Sequence, residues 1–144
     1  MGSMIGECLC GAVRITLAGA HEPEIGACHC RMCQQWTGGL FLCFEAAPEA
    51  VTVTGPVTRH MSSSFAERAF CATCGSHLWM RDTDRADASY DLMPGLFDAA
   101  LGWPLGSEIY SDCAMPAARL AGDHATRTRA EYEAAHNHVE GDDA

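Results

Sequence analysis

The sequence predicts an all-β fold, a single domain of short antiparallel strands stapled by metal. Three observations predict it. Short apolar-alternating segments recur about every ten residues, separated by Gly, Pro and Ser turns. Seven of the nine cysteines fall into three tight clusters: Cys8-x-Cys10, Cys28-His29-Cys30-x-x-Cys33 and Cys71-x-x-Cys74. The 144 residues suit one core and show no internal repeat or low-complexity linker.

The elements follow in order. Val13, Ile15 and Leu17 alternate with Arg14 and Thr16, the period of a half-buried strand. Residues 25–30 read as a second strand that runs into the cysteine triplet. Residues 31–36 suit one helical turn, ended by Gly38 and Gly39. Residues 40–44 form an apolar strand, and residues 51–54 a strand closed by Gly55-Pro56. Residues 57–61 and 67–70 read as a hairpin around Ser62, Ser63 and Ser64. Gly75 permits the left-handed backbone of a metal knuckle. Residues 78–80, 90–93 and 107–110 complete the strands, with a polar loop over 82–87. From Ala125 the pattern turns helical. The domain is expected over residues 4–124, with an acidic, partly helical C-terminal tail over 125–144 and the natural start at Met4.

Cysteines two or three residues apart are too close to serve as long-loop disulfide staples, but they present paired thiolates to one soft cation. Two pairs and one triplet give four donors plus three. Cys8, Cys10, Cys71 and Cys74 make a closed tetrahedral set, with metal binding contributing folding free energy on the order of 10 kcal/mol. The alternative is four unrelated buried cysteines. Cys28, Cys30 and Cys33 leave one coordination position for water or a substrate thiol. Two alternatives stand beside that reading: a second closed site completed by a histidine or Cys43, and a metal-free reactive thiol cluster. In a strand His29 points opposite to its cysteine neighbours, so it packs or hydrogen-bonds elsewhere. Cys43 reads as a core residue, and Cys113 has no partner by spacing. His77 suits a solvent-facing or supporting role beside the four-thiol set. His136 and His138 read as surface histidines of the tail.

Composition bounds the function. The net charge is −10 and the pI about 4.9, and the nine Lys and Arg are dispersed. Nucleic-acid binding rests on cations that neutralise phosphates, so it is disfavoured. No apolar run approaches the roughly 20 residues of a membrane helix, and no secretory signal is visible. Nine cysteines without an export signal fit reduced thiols in the cytoplasm.

Gly6-x-Cys8-x-Cys10-Gly11-x-Val13, then Cys28-His29-Cys30-x-x-Cys33-x-x-x-Thr37-Gly38, then Arg68-x-Phe70-Cys71-x-x-Cys74-Gly75-Ser76 resembles the glutathione-dependent formaldehyde-activating enzyme family, which also includes centromere protein V. The likeness spans roughly residues 6–112, and Gly95-Leu96-Phe97-Asp98 resembles the family's glycine-and-aspartate turn. The resemblance implies a β-tent fold and two zinc ions per chain. It assigns Cys8, Cys10, Cys71 and Cys74 to structural zinc and Cys28, Cys30 and Cys33 to catalytic zinc. It implies a carbon–sulfur lyase that joins formaldehyde to glutathione, an S-hydroxymethylglutathione synthase, with a small-molecule thiol and an aldehyde as partners and neither nucleic acid nor membrane. Two departures predict an altered substrate pocket: Glu108-Ile109-Tyr110 stands where the family often has His-Ile-aromatic, and Met115-Pro116-Ala117 where a Pro-Trp pair often follows. His29, Glu108 and the hydroxyls of Ser62 to Ser64 are candidate proton donors. Arg68 is a candidate for a carboxylate, of the substrate or of the protein itself. A non-catalytic zinc-stapled protein-binding module is the alternative reading. Chromatin binding is opposed by the charge.

Overall fold

The computed structural model describes residues 2–136. These divide into two compact units, one of residues 2–23 and 43–103, the other of residues 24–42 and 104–136. The described chain is mostly β-sheet with few helices, and both of its sheets are open.

In the first unit, β1 (Met4–Glu7), β2 (Arg14–Leu17) and β5 (Val51–Thr54) form an antiparallel three-stranded sheet. Met4 lies opposite Leu17, and Leu17 opposite Val51. The alternation on β2 does what the sequence requires, burying Ile15 and Leu17 and exposing Arg14. The β1 strand escapes sequence reading because its inward position is Gly6. A Cβ there would lie 2.7 Å from the Phe97 ring, so the ring occupies the place of a side chain.

The rest of this unit is an antiparallel run of β4 (Phe41–Ala46), β9 (Tyr90–Leu92), β8 (His77–Asp82), β7 (Ala66–Cys71) and β6 (Val57–Met61). Phe44 of β4 meets Phe97 and Trp103 edge-on, with ring centroids 5.4 and 5.0 Å apart. Trp79, Leu78, Leu92 and Phe97 are fully buried. Each such side chain contributes roughly 1.5–3 kcal/mol of transfer free energy. The expected hairpin around Ser62 to Ser64 is present as β6 and β7, with Val57 opposite Cys71.

In the second unit, β3 (Ile25–Cys28) and β11 (Ala125–Arg127) flank β10 (Leu105–Ile109), and both pairings are parallel. Helix α1 (Arg31–Thr37) follows β3 directly and ends at Gly38 in a left-handed conformation (φ 81°). The expected helix near residue 125 begins later: residues 125–127 are drawn into strand pairing with β10, and helix α2 (Arg129–Ala135) starts after a Thr128–Glu131 capping box. No helix among the described residues is long and apolar enough to cross a membrane. His138 and the acidic end of the tail lie outside the described residues.

Candidate metal centres

The four-thiol set comes together in the first unit. Cys8 and Cys10 sit on the turn after β1, while Cys71 ends β7 and Cys74 lies on the turn that follows. Their sulfurs all lie within 4.8 Å of one another. The Cys8–Cys10 sulfur separation is 3.6 Å and the Cys10–Cys71 separation 3.9 Å. A tetrahedral zinc with Zn–S bonds near 2.3 Å spaces its sulfurs by about 3.8 Å, so the set fits that ion. Both turns close through glycines at positive φ, Gly11 (79°) and Gly75 (80°), a conformation glycine adopts without steric cost.

Backbone and side-chain donors surround these sulfurs. Val13 N–H donates to Cys8 Sγ at 3.2 Å, and Thr73 and Cys74 N–H donate to Cys71 Sγ at 3.4 and 3.5 Å. Ser76 sits 3.1 Å from Cys74 Sγ, and its hydroxyl and backbone hydrogen bonds hold the Cys74 thiol down at about 5. At Cys10 the Ala12 backbone favours the thiolate. Burial and the neighbouring thiols Cys8, Cys74 and Cys71 outweigh it and push the group up to about 11. Four thiols packed this closely cannot all ionise unless a cation is among them. His77 is half-buried at the start of β8 and is not among the four grouped donors. Its pKa is lowered by burial and then by the Arg68 charge.

The triplet comes together in the second unit. Cys28 ends β3, Cys30 caps α1 and Cys33 lies within the helix, with all three sulfurs inside 4.8 Å of one another. Cys33 N–H donates to Cys30 Sγ at 3.3 Å. Cys30 and Cys33 are buried and Cys28 half-buried. Hydrogen bonding and charge from Cys30 and Cys33, together with burial, drive the Cys28 thiol far upward. Among the described residues no His, Asp or Glu donor joins this group, and Cys43 and Cys113 stand outside both groups. Three soft donors with no protein fourth suit a zinc ion that keeps one position for another ligand.

Backbone contacts fix this triplet in place. His29 N–H donates to Ile109 O at 3.1 Å, and Gln34 Nε2 donates to His29 O at 2.9 Å and to Cys113 O at 3.0 Å. His29 lies just past the end of β3, outside the strand expected to reach Cys30, and its ring is turned to Glu108. Its Nε2 lies 2.6 Å from Glu108 Oε1, both side chains being almost fully buried. The second oxygen of Glu108 is met by His124 Nε2. Burial alone would raise the Glu108 pKa, but the His124 and His29 hydrogen bonds outweigh it and hold the group below its ordinary value. This His29–Glu108–His124 bridge accounts for the glutamate in β10. His124 gives no sequence signal, because it has no motif spacing and joins the network only through the fold.

The remaining candidates lie elsewhere. Ser62 to Ser64 form the β6–β7 turn of the first unit, where Phe65 N–H donates to Ser63 Oγ at 3.3 Å. Arg68 is buried on β7, and its charge acts on Asp91 and His77. His136 stacks on Tyr132 with ring centroids 3.9 Å apart.

The family model described as glutathione-dependent formaldehyde-activating enzyme matches residues 3–113, which contain all seven clustered cysteines. The chain belongs to the glutathione-dependent formaldehyde-activating enzyme family. A Schizosaccharomyces pombe protein named as an uncharacterised lyase is 38% identical over 80 residues, covering 55% of this chain and 58% of its own length. A Halomonas elongata protein named after the same enzyme family is 31% identical over 86 residues, covering 54% of this chain and 55% of its own. The chain thus matches little more than half the length of these two curated relatives. A crystal structure of a Rhodobacter sphaeroides protein shares the fold at a TM-score of 0.56 and 21% identity, covering 71% of this chain and 99% of that one. Residues 114–136, which include His124, β11 and α2, fall beyond the family match.

Proposed function

We propose that the chain is a zinc-dependent carbon–sulfur lyase-type enzyme that makes and breaks the bond between a thiol and an aldehyde, as an S-hydroxymethylglutathione synthase does. The observation that supports it is the Cys28, Cys30 and Cys33 triplet, three convergent thiols without a fourth protein donor among the described residues. When bound, zinc supplies a positive centre that keeps these thiols ionised and leaves one position for a substrate sulfur. Cys8, Cys10, Cys71 and Cys74 would hold a second, structural zinc, giving two per chain and completing a β-tent.

The chain's own part is placement. The α1 turn aligns Cys30 and Cys33, and the Ile109 and Gln34 contacts fix the backbone between Cys28 and Cys30. A substrate thiol beside the triplet, ionised by the charge a bound zinc would supply, would add as its thiolate to the aldehyde carbon. The new carbon–sulfur bond forms as the carbonyl π pair moves to oxygen, and that oxygen takes up the proton the thiol gave up. The reverse sequence cleaves the adduct. His29 and Glu108 are already bonded to one another, so their role in this reading is to hold the triplet's strand and not to exchange the proton directly. None of the nine cysteines forms a disulfide, which suits a reducing compartment, the cytoplasm.

The test is NMR exchange between free glutathione and its formaldehyde adduct, with and without protein. Acceleration is expected, together with two zinc per purified chain. Cys30→Ser should lose one zinc and the acceleration while keeping the fold. A folded protein with no acceleration in the wild type would favour a zinc-stapled binding module, for which Leu9, 90% exposed between Cys8 and Cys10, offers an apolar contact.

A further inference from the structure

We infer that the pocket between the β10–β11 ladder and α2 is a subsite for the carboxylate-bearing end of the thiol substrate, with Arg127 as its anchor. The inference rests on the reading of the Cys28, Cys30 and Cys33 triplet as the reacting site. The pocket has a volume near 470 Å³, within the range of small-molecule sites. Ser107, Glu108 and Ile109 of β10, Arg127 of β11, Tyr132 of α2 and His136 at its C-cap contribute to its lining.

Register connects this pocket to the triplet. Ile109 pairs with Cys28 on one side and with Arg127 on the other. Paired residues of adjacent strands face the same side of a sheet, so Cys28, Ile109 and Arg127 form one row on one face. Two strand spacings separate the ends of that row, about 10 Å between the Cys28 and Arg127 backbones. A thiol whose carboxylate lies a residue or two from its sulfur spans that distance in extended form. Glu108 also borders the pocket, but His29 and His124 engage both of its carboxylate oxygens.

Arg127 brings a guanidinium to the lining, where the Glu108 carboxylate is already engaged by His29 and His124. The chain as a whole carries a net charge of −10, so a carboxylate ligand needs a local cation. Arg127 is exposed; its charge acts on Glu131, but among the described residues it makes no ion pair within 4 Å. Its planar fork matches a carboxylate with two hydrogen bonds. The stacked Tyr132 and His136 rings supply a wall of mixed apolar and polar character. That wall is built in advance: Tyr110 OH donates to Glu133 at 3.1 Å, Arg129 N–H donates to Asp112 at 2.8 Å, and the Thr128–Glu131 capping box fixes the helix start. A pre-organised wall lowers the ordering cost of binding.

S-methylglutathione is the direct probe, because its thiol is blocked and its carboxylates are retained. Titration calorimetry on the full zinc-loaded chain should show binding that weakens at least tenfold in Arg127→Met, with partial recovery in Arg127→Lys and an unchanged melting temperature in both. The diethyl ester of S-methylglutathione should bind wild type and Arg127→Met alike. Equal binding of S-methylglutathione to wild type and Arg127→Met, or no binding to either, overturns the subsite. Failure of the catalytic reading is distinguishable: formaldehyde exchange would then be unaccelerated while Arg127-dependent binding of the blocked thiol persisted.

Discussion

The two thiol groups use the same side chain, and the contrast between them lies in how each is framed. The four-thiol group joins the turn after β1 to the turn after β7, so its donors come from chain segments some sixty residues apart. The triplet comes from six consecutive residues, a strand end and the first turn of a helix. The first arrangement would make ion binding and folding the same event. The second leaves the fold to the strands around it and the thiols to a ligand. Long-range closure points to structure, and local closure with a missing fourth donor points to chemistry.

The sharpest way to break this contrast is to remove one sulfur from each group. Cys71→Ser should unfold the first unit, because a structural zinc contributes on the order of 10 kcal/mol. Near-ultraviolet circular dichroism and metal content would show loss of tertiary signal. Cys30→Ser should keep that signal and lose one metal equivalent. Equal effects of the two substitutions would erase the distinction.

A second test bears on the frame of the triplet. Glu108→Leu strands two buried imidazoles and should cost about 3–5 kcal/mol in urea unfolding, the usual penalty for breaking a buried charged pair from one side. His124→Asn, which leaves His29–Glu108 intact, should cost less. If His124→Asn cost as much as Glu108→Leu, the bridge would act through His124 alone.

The first unit has its own charge signature. Burial pushes the Asp91 carboxyl up to about 7, reinforced by Glu45 directly across the β4–β9 pair and by Asp82, and opposed by Arg68. A carboxyl whose folded pKa is raised stabilises the fold fully below its unfolded value, near 4, and that contribution is lost as pH rises through about 7. The loss is at most roughly 4 kcal/mol by the size of the shift, and smaller because Asp91 keeps part of its surface in water. Asp91→Asn should therefore be more stable than wild type at pH 8 and show little advantage at pH 4 in denaturant titrations. A constant difference across that window would contradict the assignment.

The smallest expected effect is at the edge of the second unit. Thr128→Ala removes half of the capping box and should cost about 1 kcal/mol, read as faster hydrogen exchange confined to α2. Spread of that effect to β7 or β8 would show that the helix supports more than its own unit.

Much of this was legible in the residues. Cysteine spacing announces both thiol groups because short spacings survive any fold, and the alternation of Ile15 and Leu17 announces β2. The β1 strand was not legible, since Gly6 stands where an apolar side chain belongs and Phe97 fills the gap from afar. Residues 125–127 look helical in isolation and become a strand only because β10 offers a parallel edge. His124 acquires its meaning from Glu108, sixteen residues earlier, and nothing in their spacing marks the pair. Glu108 itself was legible only as a departure from a pattern. The structure supplies the reason for it, a carboxylate shared between two imidazoles.

The parallel pairing of β3 with β10 also sets an order in time. The triplet is made early in synthesis, but the strand that carries Ile109, Glu108 and the bond to His29 emerges only near the end of the chain. At ordinary elongation rates the interval is on the order of ten seconds, and closing so long a loop is among the slower steps a chain must take. Through that interval Cys28, Cys30 and Cys33 stand on an unfinished sheet, open to oxidants and to any passing soft metal. A newborn chain is therefore most exposed at the three sulfurs to which the proposed chemistry belongs.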